Sequence, residues 1–194
     1  MTSKALSLSV IGVFLTVLSV AVGPAADLAP AWKAIGPPGG FLTALAVQPT
    51  NENTVLCGTY SGGIYRTANG GGGWQPVGRT VVDPGIWSLA FAPLNPATVY
   101  VGTRHGIYRS TNGGATWASV SGTQLAQRSV LSVAVHPTSA NTIFAGSAGH
   151  GIYKTTNGGA TWAWLSNDVS ALDIWRLEID PKNPKVMYAC VAGD

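Results

Sequence analysis

The stretch GIYRSTNGGATW, residues 106–117, occurs again as GIYKTTNGGATW at residues 151–162 and in a looser form as GIYRTANGGGGW at residues 63–74. The tryptophans that close these stretches are spaced by 43 and then 45 residues. Prolines at positions 49, 93, 137 and 181 recur every 44 residues and form a second, independent marker. The chain is therefore built from a repeat of about 44 residues.

Each repeat contains four short runs with the two-residue alternation of β-strands, separated by clusters of Gly, Pro and Asn. The first run ends at the recurring proline, the third begins at Gly-Ile-Tyr, and the fourth begins at the tryptophan. Four strands in 40 to 45 residues are typical of one β-propeller blade. The sequence predicts an all-β propeller with about three complete antiparallel blades and a partial fourth. Together these blades would form an incomplete ring. The predicted segments are an isolated outer strand at 32–36, blades at 41–78, 85–121 and 128–166, and the partial blade at 172–192.

The turn between the third and fourth strands resembles a known motif. Residues 110–117, STNGGATW, are similar to the Asp box, or bacterial neuraminidase repeat, with the pattern S-x-D-x-G-x-T-W. Asn stands where that family usually has Asp, and an Asn carbonyl still accepts the turn's N–H bonds. The resemblance implies that the box is architectural and lies away from the ligand face. The residues assigned a structural role on this basis are Asn69, Asn112, Asn157, Trp74, Trp117 and Trp162.

The first 26 residues differ in composition from the rest of the chain. Met1 to Lys4 is a short basic start, residues 5–22 are apolar or small, and small residues follow up to Ala26. This pattern predicts a secretory signal peptide, with an uncleaved N-terminal membrane anchor as the alternative. Under both hypotheses the repeats are secreted or extracytoplasmic, in the cell envelope.

Charge and cysteine content narrow the function classes. Only 10% of the residues are charged, the net charge is +3, and no run of Lys or Arg is present, which argues against nucleic-acid binding. The two cysteines, Cys57 and Cys190, are 133 residues apart and have no metal-type spacing. They are interpreted as two small buried hydrophobes, with a structural disulfide as the alternative. We expect neither a metal site nor a cofactor.

In the propellers that the chain resembles, ligands usually bind to one face, formed by the loops between blades and the loops before each third strand. Mapping the repeats onto that face gives seven candidates for ligand contact. They are Trp87, Trp175, Arg104, Arg128, His105, His150 and Tyr60. Tryptophan and arginine are frequent hot-spot residues in interfaces, so Trp87, Trp175, Arg104 and Arg128 are the predicted anchors.

Glycoside hydrolysis needs two carboxyl groups across the sugar. The acids in the proposed loops are Asp83, Asp168 and Asp173. Residues 59–66, TYSGGIYR, are similar to a pattern in propeller-type xyloglucan-degrading endoglucanases, but Tyr60 occupies the position of that family's Asp. A phenol does not replace a carboxylate base near neutral pH, so no catalytic residue is assigned.

The sequence thus predicts an exported, non-catalytic propeller that acts as a binding scaffold for a protein or carbohydrate ligand. Similar repeats occur in sortilin-type receptors and in a photosystem assembly factor, both of which bind proteins. One alternative is a glycoside hydrolase relative of the xyloglucanase or sialidase type, inactive or incomplete as given. Another is a truncated gene product without activity. A homo-oligomer that completes the propeller also remains open.

Overall fold

The computed structural model of the chain describes residues 18–19, 33–37, 40–81, 83, 85–165, 168–169 and 171–192. Most of the segment interpreted as a signal peptide or anchor lies outside the described residues. Within the described residues, no helix is long and apolar enough to cross a membrane.

Three four-stranded antiparallel sheets follow one another along the chain, each with its strands paired in sequence order. Blade 1 consists of β3 (Leu42–Gln48), β4 (Asn51–Thr59), β5 (Ile64–Thr67) and β6 (Gln75–Val77). Blade 2 consists of β7 (Ile86–Ala92), β8 (Asn95–Thr103), β9 (Gly106–Ser110) and β10 (Ala118–Ser119). Blade 3 consists of β11 (Val130–Val135), β12 (Ile143–Ser147), β13 (Gly151–Thr155) and β14 (Ala163–Trp164).

Two smaller sheets complete the described strands. The partial blade 4 is the antiparallel pair β15 (Asp173–Ile179) and β16 (Met187–Ala192). The strands β1 (Leu18–Ser19) and β2 (Lys33–Ala34) pair with each other. One helical turn, α1 (Gly122–Leu125), lies between blades 2 and 3. The prediction of an all-β propeller with three complete blades and a partial fourth is confirmed.

The turn between the third and fourth strands is organised by asparagine. Asn112 Oδ1 accepts the Ser110 hydroxyl at 2.9 Å and the Thr116 backbone N–H at 2.9 Å. Asn112 Nδ2 donates to Thr116 Oγ1 at 2.8 Å. Gly113 and Gly114 follow with φ of +68° and +92°, a region that glycine enters without a Cβ clash. The Asn112 side chain thus closes the turn through both its oxygen and its nitrogen.

Consecutive blades stack face to face because the second strand of each blade carries a glycine where the next blade approaches. A Cβ built on Gly102 would lie 2.5 Å from the Val130 carbonyl oxygen of blade 3. Gly58 and Gly146 face blades 2 and 4 in the same way. We call the face that carries this glycine the forward face of a blade and the opposite one its backward face.

The cores of the protein lie between blades. The cluster between blades 2 and 3 joins Tyr100 of the forward face to Val130, Val133 and Trp162 of the following blade. Trp162 is 4% exposed, and its Nε1 donates to the Val120 carbonyl at 2.7 Å. The recurrence of tryptophan at this turn is therefore explained by packing between blades.

The segment after β2 lies where the outer strand of a preceding blade would stand. Trp74 Nε1 donates to the Ile35 carbonyl, and Gly71 faces the Ile35 side chain. Trp162 and Gly159 contact Val120 of the preceding blade in the same manner.

Candidate functional site

The loops that precede the third strands lie at one end of the blades. The innermost strands begin at the same end. The Tyr60 N–H donates to the Phe41 carbonyl at 2.9 Å, and the Arg104 N–H donates to the Gly85 carbonyl at 3.1 Å. The corresponding bond in blade 3 runs from Ala148 to the Ser129 carbonyl at 3.0 Å. This end of the molecule therefore holds the loops that the sequence indicated as the ligand face.

Each innermost strand carries a β-bulge at this end, where the pairing register shifts by one residue. The extra residues follow the 44-residue repeat and are Thr43, Trp87, Leu131 and Trp175. A bulge turns its extra side chain away from the regular alternation of the strand. The repeat pattern predicted Trp87 and Trp175 among the residues of the loops between blades, but both lie inside strands, β7 and β15.

Four aromatic side chains form a continuous series that we call the aromatic row: Phe41, Tyr60, Trp87 and Trp175. The ring centroids of successive members are 6.5, 5.6 and 6.5 Å apart, and every contact is edge-to-face. This geometry places the positive edge of one ring on the negative face of the next. Phe41, Tyr60 and Trp175 are 58%, 45% and 49% exposed, so the row is open to solvent.

A cation extends the aromatic row on one side. The Arg104 guanidinium carbon lies 5.2 Å from the centre of the Tyr60 ring, within cation–π range. Trp87 Nε1 is buried and has no hydrogen-bond partner among the described residues. An indole donor without an acceptor costs free energy, about 1–3 kcal/mol.

Asp83 and His105 lie beside Arg104 and form an ion-pair geometry. His105 Nδ1 is 2.9 Å from Asp83 Oδ2, and Asp83 Oδ1 accepts the Gly85 N–H at 2.8 Å. The Asp83 residue is 7% exposed. Both of its oxygens are therefore engaged in holding the loop between blades 1 and 2.

Most of the remaining candidates form hydrogen bonds with residues outside the aromatic row. Asp173 accepts the Gly149 N–H at 2.7 Å, and His150 Nδ1 donates to the Ala148 carbonyl at 2.7 Å. Arg128 Nε donates to the Gln124 carbonyl at 2.8 Å. Asp168 is exposed. In the part of the chain that the structure describes, no group of three His, Cys, Asp or Glu side chains is placed to hold a metal ion.

Sequence reasoning missed Phe41 and the bulges. The signal that could have found the bulges is the 44-residue spacing of Thr43, Trp87, Leu131 and Trp175. No sequence signal indicates Phe41, because its contact with Tyr60 depends on pairing between two strands of blade 1.

Comparisons with known proteins agree with this architecture. No protein-family model and no curated protein matches the chain. Among solved structures, an ancestral GH74 enzyme is similar over 78% of this chain and 22% of its own, with 25% identity and a TM-score of 0.69. The GH74 xyloglucanase from Xanthomonas campestris is similar over 79% of this chain and 28% of its own, with 22% identity and a TM-score of 0.62.

A third similar structure is the extracellular domain of a one-component system, BT4673, from B. thetaiotaomicron. It is similar over 82% of this chain and 21% of its own, with 16% identity and a TM-score of 0.62. This chain thus spans between about a fifth and just over a quarter of the length of these proteins. The similarities agree with the strand pairing described above, and the chain has the fold of part of a β-propeller.

Proposed function

We propose that this chain is an exported, non-catalytic propeller scaffold that binds a protein or glycan ligand along the aromatic row, and that a glycan is the better fit. The observation that carries the proposal is the continuous, solvent-open series of four aromatic rings across blades 1, 2 and 4. Monomeric proteins rarely expose such a contiguous apolar patch unless it binds something.

A glycan fits this surface for chemical reasons. The C–H groups of a sugar ring carry partial positive charge and pack against the negative face of an aromatic ring. Arg104 beside Tyr60 adds donors for hydroxyl oxygens or for an acidic sugar. A ligand oxygen that reached the unpartnered Trp87 Nε1 would satisfy that donor. The similarity to GH74 enzymes supports a carbohydrate ligand as well.

We propose that the chain has no catalytic role because the carboxylates near the aromatic row are engaged in hydrogen bonds within the protein. Asp83 has one oxygen bonded to the Gly85 N–H and the other to His105, and Asp173 accepts the Gly149 N–H. Tyr60 stands where the similar xyloglucanase pattern has a carboxylate. The alternative of a hydrolase relative is favoured by the same GH74 similarity, and the two hypotheses differ in whether a glycan is cleaved.

The test is calorimetric titration of the purified chain with xyloglucan and other β-glucans. Trp175→Ala should weaken binding by about tenfold or more, because an anchoring aromatic contributes more than about 1.4 kcal/mol. The control is Leu94→Ala, which removes another exposed apolar side chain, in the turn at the opposite end of blade 2. It should leave the affinity unchanged.

Two results would overturn the proposal. Release of reducing sugar that Asp83→Ala or Asp173→Ala abolishes would identify a hydrolase. Equal losses from Trp175→Ala and Leu94→Ala would show that the aromatic row is not the binding surface. Saturable binding to a protein ligand, with no glycan bound and with the same dependence on Trp175, would assign the row to a protein instead.

A further inference from the structure

Arg104 is an exposed cation beside the aromatic row that has no ion-pair partner. Its guanidinium contacts the Tyr60 ring, and among the described residues no carboxylate lies within ion-pair distance of it. A guanidinium that packs on an aromatic ring still has N–H groups at the edge of its plane, and two of them can donate in parallel to one carboxylate. Arg104 is therefore placed to pair with an anion that comes from solvent.

Asp83 approaches Arg104 but is engaged elsewhere. A Cβ built on Gly85 would lie 3.3 Å from Asp83 Oδ1 and 3.5 Å from Arg104 Nε, so the two side chains meet at this glycine. Asp83 Oδ1 accepts the Gly85 N–H at 2.8 Å, and Asp83 Oδ2 lies 2.9 Å from His105 Nδ1. Because an ionised carboxylate only accepts hydrogen bonds, His105 donates through Nδ1. His105 is thus a positioning residue that keeps the buried carboxylate from pairing with Arg104.

These contacts belong to blades 1 and 2, both of which have all four strands. Tyr60 follows β4 of blade 1, and Arg104 and His105 form the turn between β8 and β9 of blade 2. Asp83 lies in the loop that joins the two blades. The unpaired cation is therefore a feature of a junction between two complete blades.

The sugar that fits both the aromatic row and Arg104 is a uronic acid. The C–H groups of its ring pack on an aromatic face, and its carboxylate projects from the edge of the ring. Trp87 is the next member of the row after Tyr60, with ring centroids 5.6 Å apart. A sugar ring that packs on Trp87 therefore lies one aromatic ring away from the Arg104 guanidinium, and a carboxylate on its edge extends toward that cation.

We propose that the glycan bound along the aromatic row is acidic, and that Arg104 pairs with the carboxylate of a uronic-acid residue whose ring packs on the row. This inference rests on the proposed function and specifies the class of glycan. Asp83 and His105 contribute indirectly, since their contact leaves the Arg104 N–H groups available to the ligand. The site binds this ligand and does not change it chemically.

The test uses two ligands that share one backbone, a cello-oligosaccharide and the same oligosaccharide oxidised to its glucuronic-acid form. In calorimetric titrations of the full chain, the acidic ligand should bind about tenfold more tightly or better, because a charge-assisted pair with arginine is added. Equal affinities, with both weakened by Trp175→Ala, would overturn this inference and leave the proposed glycan binding in place. If neither ligand bound, both proposals would be wrong.

A third ligand separates recognition of a carboxylate from attraction to any anion. A sulfated form of the same oligosaccharide carries negative charge without the planar carboxylate that matches a guanidinium. It should bind more weakly than the glucuronic-acid form. Equal or tighter binding of the sulfated ligand would overturn the assignment to uronic acids.

Arg104→Gln tests the predicted cation directly. The ratio of the acidic to the neutral affinity should fall to within about twofold of unity, since glutamine can donate a hydrogen bond but carries no charge. The control is Lys182→Gln, which removes one exposed positive charge in the turn between β15 and β16, at the opposite end of the blades. This control should keep the ratio. Equal losses from both variants would show that overall charge, and not Arg104, selects the ligand.

The positioning role of His105 is tested by rescue. His105→Ala releases Asp83 Oδ2, which can then pair with Arg104, so the ratio of acidic to neutral affinity should fall. The double variant His105→Ala/Asp83→Asn removes the competing charge and should restore the ratio, whereas a merely structural loss would persist. An unchanged ratio in His105→Ala, or a loss that Asp83→Asn does not restore, would refute the positioning role.

Discussion

Gly102→Ala is expected to drive blades 2 and 3 apart. Gly102 lies in β8 and is buried, and its φ is outside the left-handed region, so the backbone conformation suits alanine. The added Cβ would lie 2.5 Å from the Val130 carbonyl oxygen and 2.5 Å from Ser88 Oγ. Serine can change rotamer, but the carbonyl belongs to the backbone of β11 and cannot turn away. The methyl group is therefore accommodated only by separation of the two sheets.

The magnitude follows from what that separation disturbs. The interface holds a core cluster that includes Tyr100, Val130 and Ile143, all of them fully buried. Overpacking a dense interior costs about 1–3 kcal/mol, and a collision with backbone belongs at the upper end. A loss of about 3 kcal/mol in a domain of this size lowers Tm by roughly 6–12 °C.

The assay is thermal and urea unfolding followed by circular dichroism. The control is Gly149→Ala, since Gly149 has φ of +65° and nothing within 4 Å of an added Cβ. That substitution costs backbone strain alone, about 1–2 kcal/mol. If Gly102→Ala unfolded at the wild-type midpoint, or were milder than Gly149→Ala, the glycine would not set the spacing between blades.

Three further outcomes are expected. Asn112→Ala should destabilise the protein by about 1–2 kcal/mol in urea unfolding, because the Thr116 N–H loses its acceptor. Asn112→Asp should be within about 0.5 kcal/mol of wild type in stability, since the Thr116 hydroxyl can reverse and donate to the carboxylate. Equal losses of stability in the two variants would contradict this explanation. Burial raises the pKa of the Cys57 thiol to about 12, so little of the reactive thiolate is present below that pH. In the native protein at pH 8, Ellman's reagent should react with one thiol per chain, the exposed Cys190. In denaturant it should react with both thiols. Reaction of two thiols in the native protein would show that Cys57 is accessible. Ser132→Ala should cost about 1–3 kcal/mol in unfolding, because the buried Ser132 hydroxyl donates at 2.8 Å to a carbonyl of blade 4, and an unchanged midpoint would argue against that bond.

The blades could be predicted from the sequence because the signals that specify them come from residues close together in the chain. Strand alternation, the Gly-Ile-Tyr starts and the Asn-Gly turns act over a few residues, and the 44-residue period repeats them along the chain. The structure accordingly pairs each set of four strands in chain order. The pairing of β2 with β1 was not foreseen, because β1 lies in the segment interpreted as a signal peptide or anchor.

The candidate site was predicted only in part. The sequence placed Trp87, Trp175, Tyr60 and Arg104 at one end of the blades, and the structure brings these four together. The sequence did not indicate the contact of His105 with Asp83. The two residues lie 22 positions apart, Asp83 in the loop before blade 2 and His105 in the turn between β8 and β9. Such contacts depend on side-chain direction, which a repeat alignment does not contain.

The amino-acid sequence by itself determined the repeat, the four-stranded blade and the end of the blades at which loops collect, since each follows from interactions between residues near in the chain. The tertiary structure alone decided that Trp87 of blade 2 meets Trp175 of blade 4. The physical reason is that this contact depends on the angle and spacing between stacked sheets, which side-chain packing across blade interfaces sets.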